Sequence, residues 1–144
     1  MKVSETMTSD VCVAHPDETV QQAARAMASL DAGALPVGDN DRLVGMITDR
    51  DIAIRGVAEG KGPKAKVKDI MTKDVKYCFD DQDIEEVVQN MGDIQVRRLP
   101  VVNRDKRLVG IVSLGDIAAT HPISETAAAL NRISRPGGEH TQTG

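Results

Sequence analysis

One unit of sequence occurs twice in this chain, and that duplication limits the fold more than any other feature. Val3, Met7, Thr8, Asp10 and Val11 return 64 positions later as Val67, Met71, Thr72, Asp74 and Val75. Met27, Leu35, Pro36 and Val37 return as Met91, Leu99, Pro100 and Val101. After a one-residue insertion, Leu43, Val44, Gly45, Asp51 and Ile52 return as Leu108, Val109, Gly110, Asp116 and Ile117. The period exceeds the roughly 20 to 50 residues of solenoids and propellers, and two copies are too few for an open array. The two units must therefore bury apolar surface against each other.

Within each copy the pattern reads strand, helix, strand, strand, helix. Residues 11–14 form a short run rich in β-formers. Val20, Ala23, Ala24, Met27 and Leu30 then follow at helical spacing, matched by Ile84, Val87, Val88, Met91 and Ile94, which predicts two core-facing stripes. Thr19 with Gln22, and Asp83 with Glu86, have the spacing of a capping box and fix where these helices begin. ALPV with RLVGMIT, and RRLPVV with RLVGIVS, read as hairpins split by polar turn residues such as Gly38, Asp39 and Asn40. A second helix starts after Thr48 and after Ser113. These signals divide the chain into a first repeat over 1–59, a linker over 60–66 and a second repeat over 67–122. A C-terminal helix over 123–135 and a disordered polar tail over 136–144 complete it.

The order of elements, with LPV followed by LVGMITDRDI in one copy and LVGIVSLGDI in the other, resembles the CBS domain pair, or Bateman module. The resemblance spans roughly residues 3 to 120. TDRDIAIRGVAEG and VRRLPVV are similar to the small stand-alone bacterial type, with no attached enzyme or channel. It implies an α/β fold of tandem β-α-β-β-α repeats, packed sheet to sheet around a pseudo-two-fold axis, with a ligand cleft on either side. It also implies a regulatory module that senses an adenine nucleotide (AMP, ADP or ATP) or another adenosyl compound such as S-adenosylmethionine, and that is not an enzyme.

Carried over residue by residue, the family's phosphate-contacting hydroxyls fall on Thr48 and Ser113, and its ribose-binding carboxylates on Asp51 and Asp116. A hydroxyl at a helix start lies beside unpaired backbone N–H groups, where an anion is favoured. A carboxylate can accept hydrogen bonds from two vicinal hydroxyls. The adenine would lie near Leu35 and Pro36, or Leu99 and Pro100, with Arg50 or Arg98 adding a charge-assisted bond to phosphate. Thr48-x-x-Asp51 and Ser113-x-x-Asp116 equally have the spacing of an ordinary capping box, and spacing does not separate the two readings. The clefts are expected to differ, because Asp49 and Arg50 are replaced by Leu114 and Gly115, and Gly33 and Ala34 by Arg97 and Arg98.

Other function classes find little support. One Phe, one Tyr and no Trp, with a formal charge of −4, argue against a nucleic-acid partner, since bases stack on aromatic rings and phosphates seek basic surfaces. No apolar run approaches the roughly 20 residues needed to span a bilayer, and the start lacks a secretory signal, so a cytoplasmic protein with no membrane contact is expected. GVAEGKG has three residues where a phosphate loop has four between its glycines, and Gly62 where Ser or Thr should bind magnesium. Cys12 and Cys78 lack metal-ligand spacing and are expected as small buried hydrophobes, with no metal site. His15, His121 and His140 belong to no local Ser/His/Asp or Cys/His set.

The cluster Arg97, Arg98, Arg104, Lys106 and Arg107 reads as a solvated hairpin surface or as a phosphate contact. Ile52, Ala53, Ile54, Val57 and Ala58 cover more of their helix than one sheet can bury, which predicts a homodimer, as the resemblance also implies. Beside the sensor stands an alternative: a constitutive protein-interaction module with vestigial clefts. Either reading leaves an unidentified regulated protein as partner.

Overall fold

The computed structural model describes residues 1–120 and 124–134. The chain forms two compact units, and neither is one sequence repeat taken whole. One unit is residues 12–75; the other joins residues 1–11 to the described residues from 76 onward. The lead segment of each repeat thus packs in the unit that holds the body of the other.

In the unit of residues 12–75, helix α1 spans Val20–Leu30. Thr19 caps it: the Thr19 hydroxyl accepts from the Gln22 N–H at 3.2 Å, and Gln22 Oε1 accepts from the Thr19 N–H at 2.8 Å. The linker closes the same end, because the Ala65 and Pro63 carbonyls accept from the N–H groups of Val20 and Gln21. Strands β1, Ala34–Asp39, and β2, Arg42–Thr48, form an antiparallel hairpin. Its tip holds Asn40 and Asp41 at φ 52° and 64°, the left-handed pair that a two-residue turn between twisted strands requires. Helix α2 begins at Asp49–Asp51 and continues without a break as a π-helix over Ile52–Val57.

The core of this unit is aliphatic, with Val20, Ala23, Met27, Leu35, Val37 and Ile47 at its centre. Two residues expected on the α1 stripe, Ala24 and Leu30, are exposed instead. The expected strand over 11–14 shrinks to one residue, with Ala14 bridging Val37 in parallel. Val13 stays exposed, and Pro16 lacks the N–H that would extend the pairing.

The second unit repeats the plan with additions. Strand β3, Cys78–Phe79, pairs parallel to β4, Arg98–Val102, which pairs antiparallel to β5, Leu108–Ser113. Helix α3 spans Ile84–Ile94, α4 Leu114–Thr120 and α5 Ser124–Ile133. The one-residue insertion falls in the β4–β5 turn, where the Asn103 side chain accepts from the N–H groups of Asp105 and Arg107 and Lys106 takes φ 65°.

Asp83 does not cap α3 with its side chain; its carboxylate pairs with Lys2 at 3.2 Å, and the Met1 carbonyl accepts from the Ile84 N–H. Helix α5 packs on α3 through Ala129 and Ile133, with Arg132 laid over Gly92. Val88 and Gly92 are therefore buried where their counterparts Ala24 and Ala28 on α1 are exposed. The expected tail over 136–144 lies outside the described residues.

Both hairpins bulge at the same place, next to the repeated glycine: register shifts after Val37 and after Val101. A Cβ on Gly45 would stand 2.7 Å from Met71 Sδ and 2.8 Å from the Thr72 carbonyl oxygen. On Gly110 it would stand 2.7 Å from the Thr8 carbonyl oxygen. The absent side chain lets each Met-Thr lead segment bond across the outer edge of its hairpin, Thr72 with Met46 and Thr8 with Ile111.

Candidate ligand-binding site

Strand β2 ends at Thr48, whose extended backbone (φ −118°, ψ 162°) turns the chain into α2. The capping box is complete: Asp51 Oδ2 accepts from the Thr48 N–H at 3.1 Å, and Thr48 Oγ1 accepts from the Asp51 N–H at 3.0 Å. Thr48 is 1% exposed and Asp51 8%, an unusual depth for a carboxyl group. Burial raises the Asp51 pKa above its ordinary value, opposed by the bonds to Thr48, then by Arg55 and Thr72. Thr72, also 8% exposed, completes a buried polar trio. Its hydroxyl lies near enough to Asp51 to favour the charged form, yet it is buried and closes no hydrogen bond of its own.

The second box is built differently. Ser113 Oγ accepts from the Asp116 N–H at 3.0 Å, but Asp116 is exposed and Ser113 only half-buried. Arg98 stands directly opposite Ser113 across the β4–β5 ladder, so the two side chains share one face of the sheet. Its Nη1 atom is buried without a hydrogen-bond partner among the described residues. The residue opposite Thr48 is Ala34, so the first box has no cation at that place.

Of the remaining residues singled out from sequence, Arg50 is exposed at the surface of α2. Leu35 and Leu99 are core residues of their units, and Pro36 and Pro100 are buried beside them in β1 and β4. In the basic cluster, Arg104 lies 4.0 Å over the Phe79 ring and makes a bidentate pair with Asp81, while Lys106 donates to Tyr77 Oη. Two residues of the first box were missed from sequence, Thr72 and Arg55. The Met-Thr repeat was visible, but no local spacing joins residue 72 to residue 48. Cys12 also departs from expectation: it is exposed, because the segment before Ala14 runs along the surface, whereas Cys78 is buried in β3. Burial pushes the Cys78 thiol up to about 12.

Among the described residues no group of three His, Cys, Asp or Glu is placed to hold a metal ion, and no helix is long and apolar enough to cross a membrane. Two duplicated hairpins, each ending in a hydroxyl that caps a helix three residues before a carboxylate, define a tandem-repeat α/β module. The chain belongs to the CBS domain family, whose model matches residues 3–56 and 67–134. It is 40% identical over 133 residues to the CBS domain-containing protein YhcV of Bacillus subtilis, covering 92% of this chain and 94% of that one. It is 42% identical over 132 residues to Hypoxic response protein 1 of Mycobacterium tuberculosis, covering 90% and 92%.

Solved structures agree with the fold. Hypoxic Response Protein I, determined with two coordinated zinc ions, matches at TM-score 0.77 and 40% identity over 85% of this chain and all of that one. The CBS domain pair of protein MJ0100, in complex with 5'-methylthioadenosine and S-adenosyl-L-methionine, matches at TM-score 0.73 and 29% identity over 83% of this chain and 94% of that one.

Proposed function

We propose that this protein is a non-catalytic regulatory module that binds an adenosyl ligand carrying an anionic group, through the Ser113–Asp116 box and Arg98 in one unit and the Thr48–Asp51 box in the other. The observation that carries the reading is the buried, unpartnered Nη1 of Arg98 beside Ser113. A buried guanidinium donor left unmatched costs stability, and a phosphate or carboxylate would satisfy it together with the Ser113 hydroxyl. The MJ0100 complex supports the adenosyl part. Ser113 and Arg98 take the anion, and Asp116 and Asp51 take vicinal hydroxyls. We place the protein in the cytoplasm, acting on an unidentified partner protein.

The module works as a homodimer. Ile54 and Val57 on the π-helical stretch are 52% and 71% exposed, a surface that a two-fold contact would cover. Light scattering should give a dimer at micromolar concentration, and Val57→Lys should dissociate it.

One observation favours the competing reading of an interaction module with vestigial clefts: the Thr48–Asp51 box satisfies itself as a cap. A thermal-shift panel of AMP, ATP, S-adenosylmethionine and NAD on stripped protein separates the two. A ligand at 100 times its dissociation constant stabilises by about 2.7 kcal/mol per site, a shift of several degrees for a chain this long. Arg98→Gln and Asp116→Ala should each reduce the shift while the protein stays folded. No shift with any of the four would leave the interaction module standing.

A further inference from the structure

Arg55 reaches three groups at once. Its Nη1 donates to the Met71 carbonyl at 3.1 Å and to the Ile70 carbonyl at 3.4 Å, and its Nε lies 4.0 Å from Asp51 Oδ1. Nearby, Lys61 Nζ donates to the Asp69 carbonyl at 3.5 Å, so two cations serve three successive carbonyls, the last of the 3-10 turn Val67–Asp69 and the two that follow it. Those carbonyls stand at the negative end of a helical turn and need donors. Thr72 follows immediately and enters the ladder with Met46.

The helix that carries Arg55 departs from α geometry over this stretch. Over Ile52–Val57 it is π-helical, with the Ala58 N–H donating to the Ala53 carbonyl five residues back. Gly56 is buried there, and a Cβ on it would stand 3.3 Å from Ile70 Cδ1. Single π-turns inside helices concentrate at functional sites. The equivalent helix α4 has no π-turn, and Thr120 occupies the place of Arg55. Thr120 Oγ1 meets Thr6 Oγ1 at 3.1 Å, a contact with the other lead segment that carries no charge.

We propose that Arg55 is a positioning residue of the first-repeat site: it fastens the Ile70–Met71 backbone to the helix bearing Asp51, and so sets where the Thr72 hydroxyl stands beside the Asp51 carboxylate. The role in ligand binding rests on the function proposed above; the positioning itself does not. Arg55 touches no ligand in this account. Its guanidinium keeps Nη1 on the two carbonyls while Nε faces Asp51, a division between two nitrogens that the single ammonium of a lysine cannot reproduce.

The test compares the parent protein with Arg55→Thr, the residue found in the second repeat, and with Arg55→Lys. Three quantities are read by NMR: amide exchange at Thr72 and Met46, the Asp51 carboxyl titration, and AMP titration followed separately at the Thr48 and Ser113 amides. Arg55→Thr should speed exchange at Thr72 and Met46, raise the Asp51 pKa, and weaken AMP at the Thr48 end about tenfold through the misplaced Thr72 hydroxyl and Asp51 carboxylate, with Ser113 unaffected. Arg55→Lys should keep the Asp51 titration near that of the parent yet leave Thr72 exchange fast. Unchanged exchange at Thr72 in both folded variants overturns the proposal, and if the threonine variant does not fold, the lysine variant decides alone. Should AMP bind neither end of the parent, the ligand reading fails, while Thr72 exchange and the Asp51 titration still decide the role of Arg55.

Discussion

Thr48 and Asp51 hold each other's backbone N–H groups, at 3.0 and 3.1 Å, inside a unit where neither is more than 8% exposed. The geometry is that of a helix cap, but the depth makes the carboxylate a titration site as well. Burial raises the folded-state pKa of Asp51 above its ordinary 3.8. Between 3.8 and that raised value the folded protein binds the proton more tightly than the unfolded chain does. This group therefore favours folding below the window, and the advantage is lost as pH rises through it.

Asp51→Asn keeps an oxygen for the Thr48 N–H and removes the buried charge. The variant should gain stability relative to the parent as pH is raised from about 4 to about 7, read as a growing difference in Tm. A difference that stays constant with pH would show that Asp51 titrates as an exposed carboxyl does.

The two boxes should differ as caps. Thr48→Ala removes a reciprocated, buried cap and should cost about 1 to 2 kcal/mol in urea unfolding, the upper part of the range for such caps. Ser113→Ala removes a one-way bond to an exposed segment and should cost about 0.5 kcal/mol. Equal losses would mean that burial of the first box adds nothing to its stability.

Gly45→Ala and Gly110→Ala each place a methyl group within 2.8 Å of a backbone carbonyl, at Thr72 or at Thr8. Backbone cannot rotate aside as a side chain can, so each should cost about 1 to 3 kcal/mol. Faster amide exchange should follow at Thr72 in the first variant and at Thr8 in the second. Destabilisation without those local changes would place the strain elsewhere.

The thiols should separate cleanly. Cys12 is exposed, whereas Cys78 is buried with its pKa pushed up to about 12. An aromatic disulfide reagent at pH 8 should therefore modify one thiol in the native protein and both in denaturant. Rapid reaction of both under native conditions would show that β3 opens readily.

Much of this architecture was legible in the chain itself, because its signals are local. The period-3.6 stripes of α1 and α3, the Thr19–Gln22 box, the hairpins and the starts of α2 and α4 all depend on residues within one turn or one strand of each other. Duplication strengthened each of these signals by presenting it twice. Where a neighbouring segment intervenes, local reading failed: Asp83 yields its capping role to Met1, and Ala24 lacks the covering helix that buries Val88.

The site itself was only half written in the sequence. Spacing named Thr48, Asp51, Ser113 and Asp116 as capping boxes, since three residues along a helix start bring hydroxyl and amide together, and only the resemblance to CBS pairs marked them as ligand residues. That one box is buried and the other open depended on contacts between distant residues. Thr72 reaches Asp51 only because the lead segment of one repeat packs on the body of the other, and Arg98 lies beside Ser113 only through strand register. Burial depth and cross-strand register are properties of chain paths that meet, and no window of sequence contains both paths.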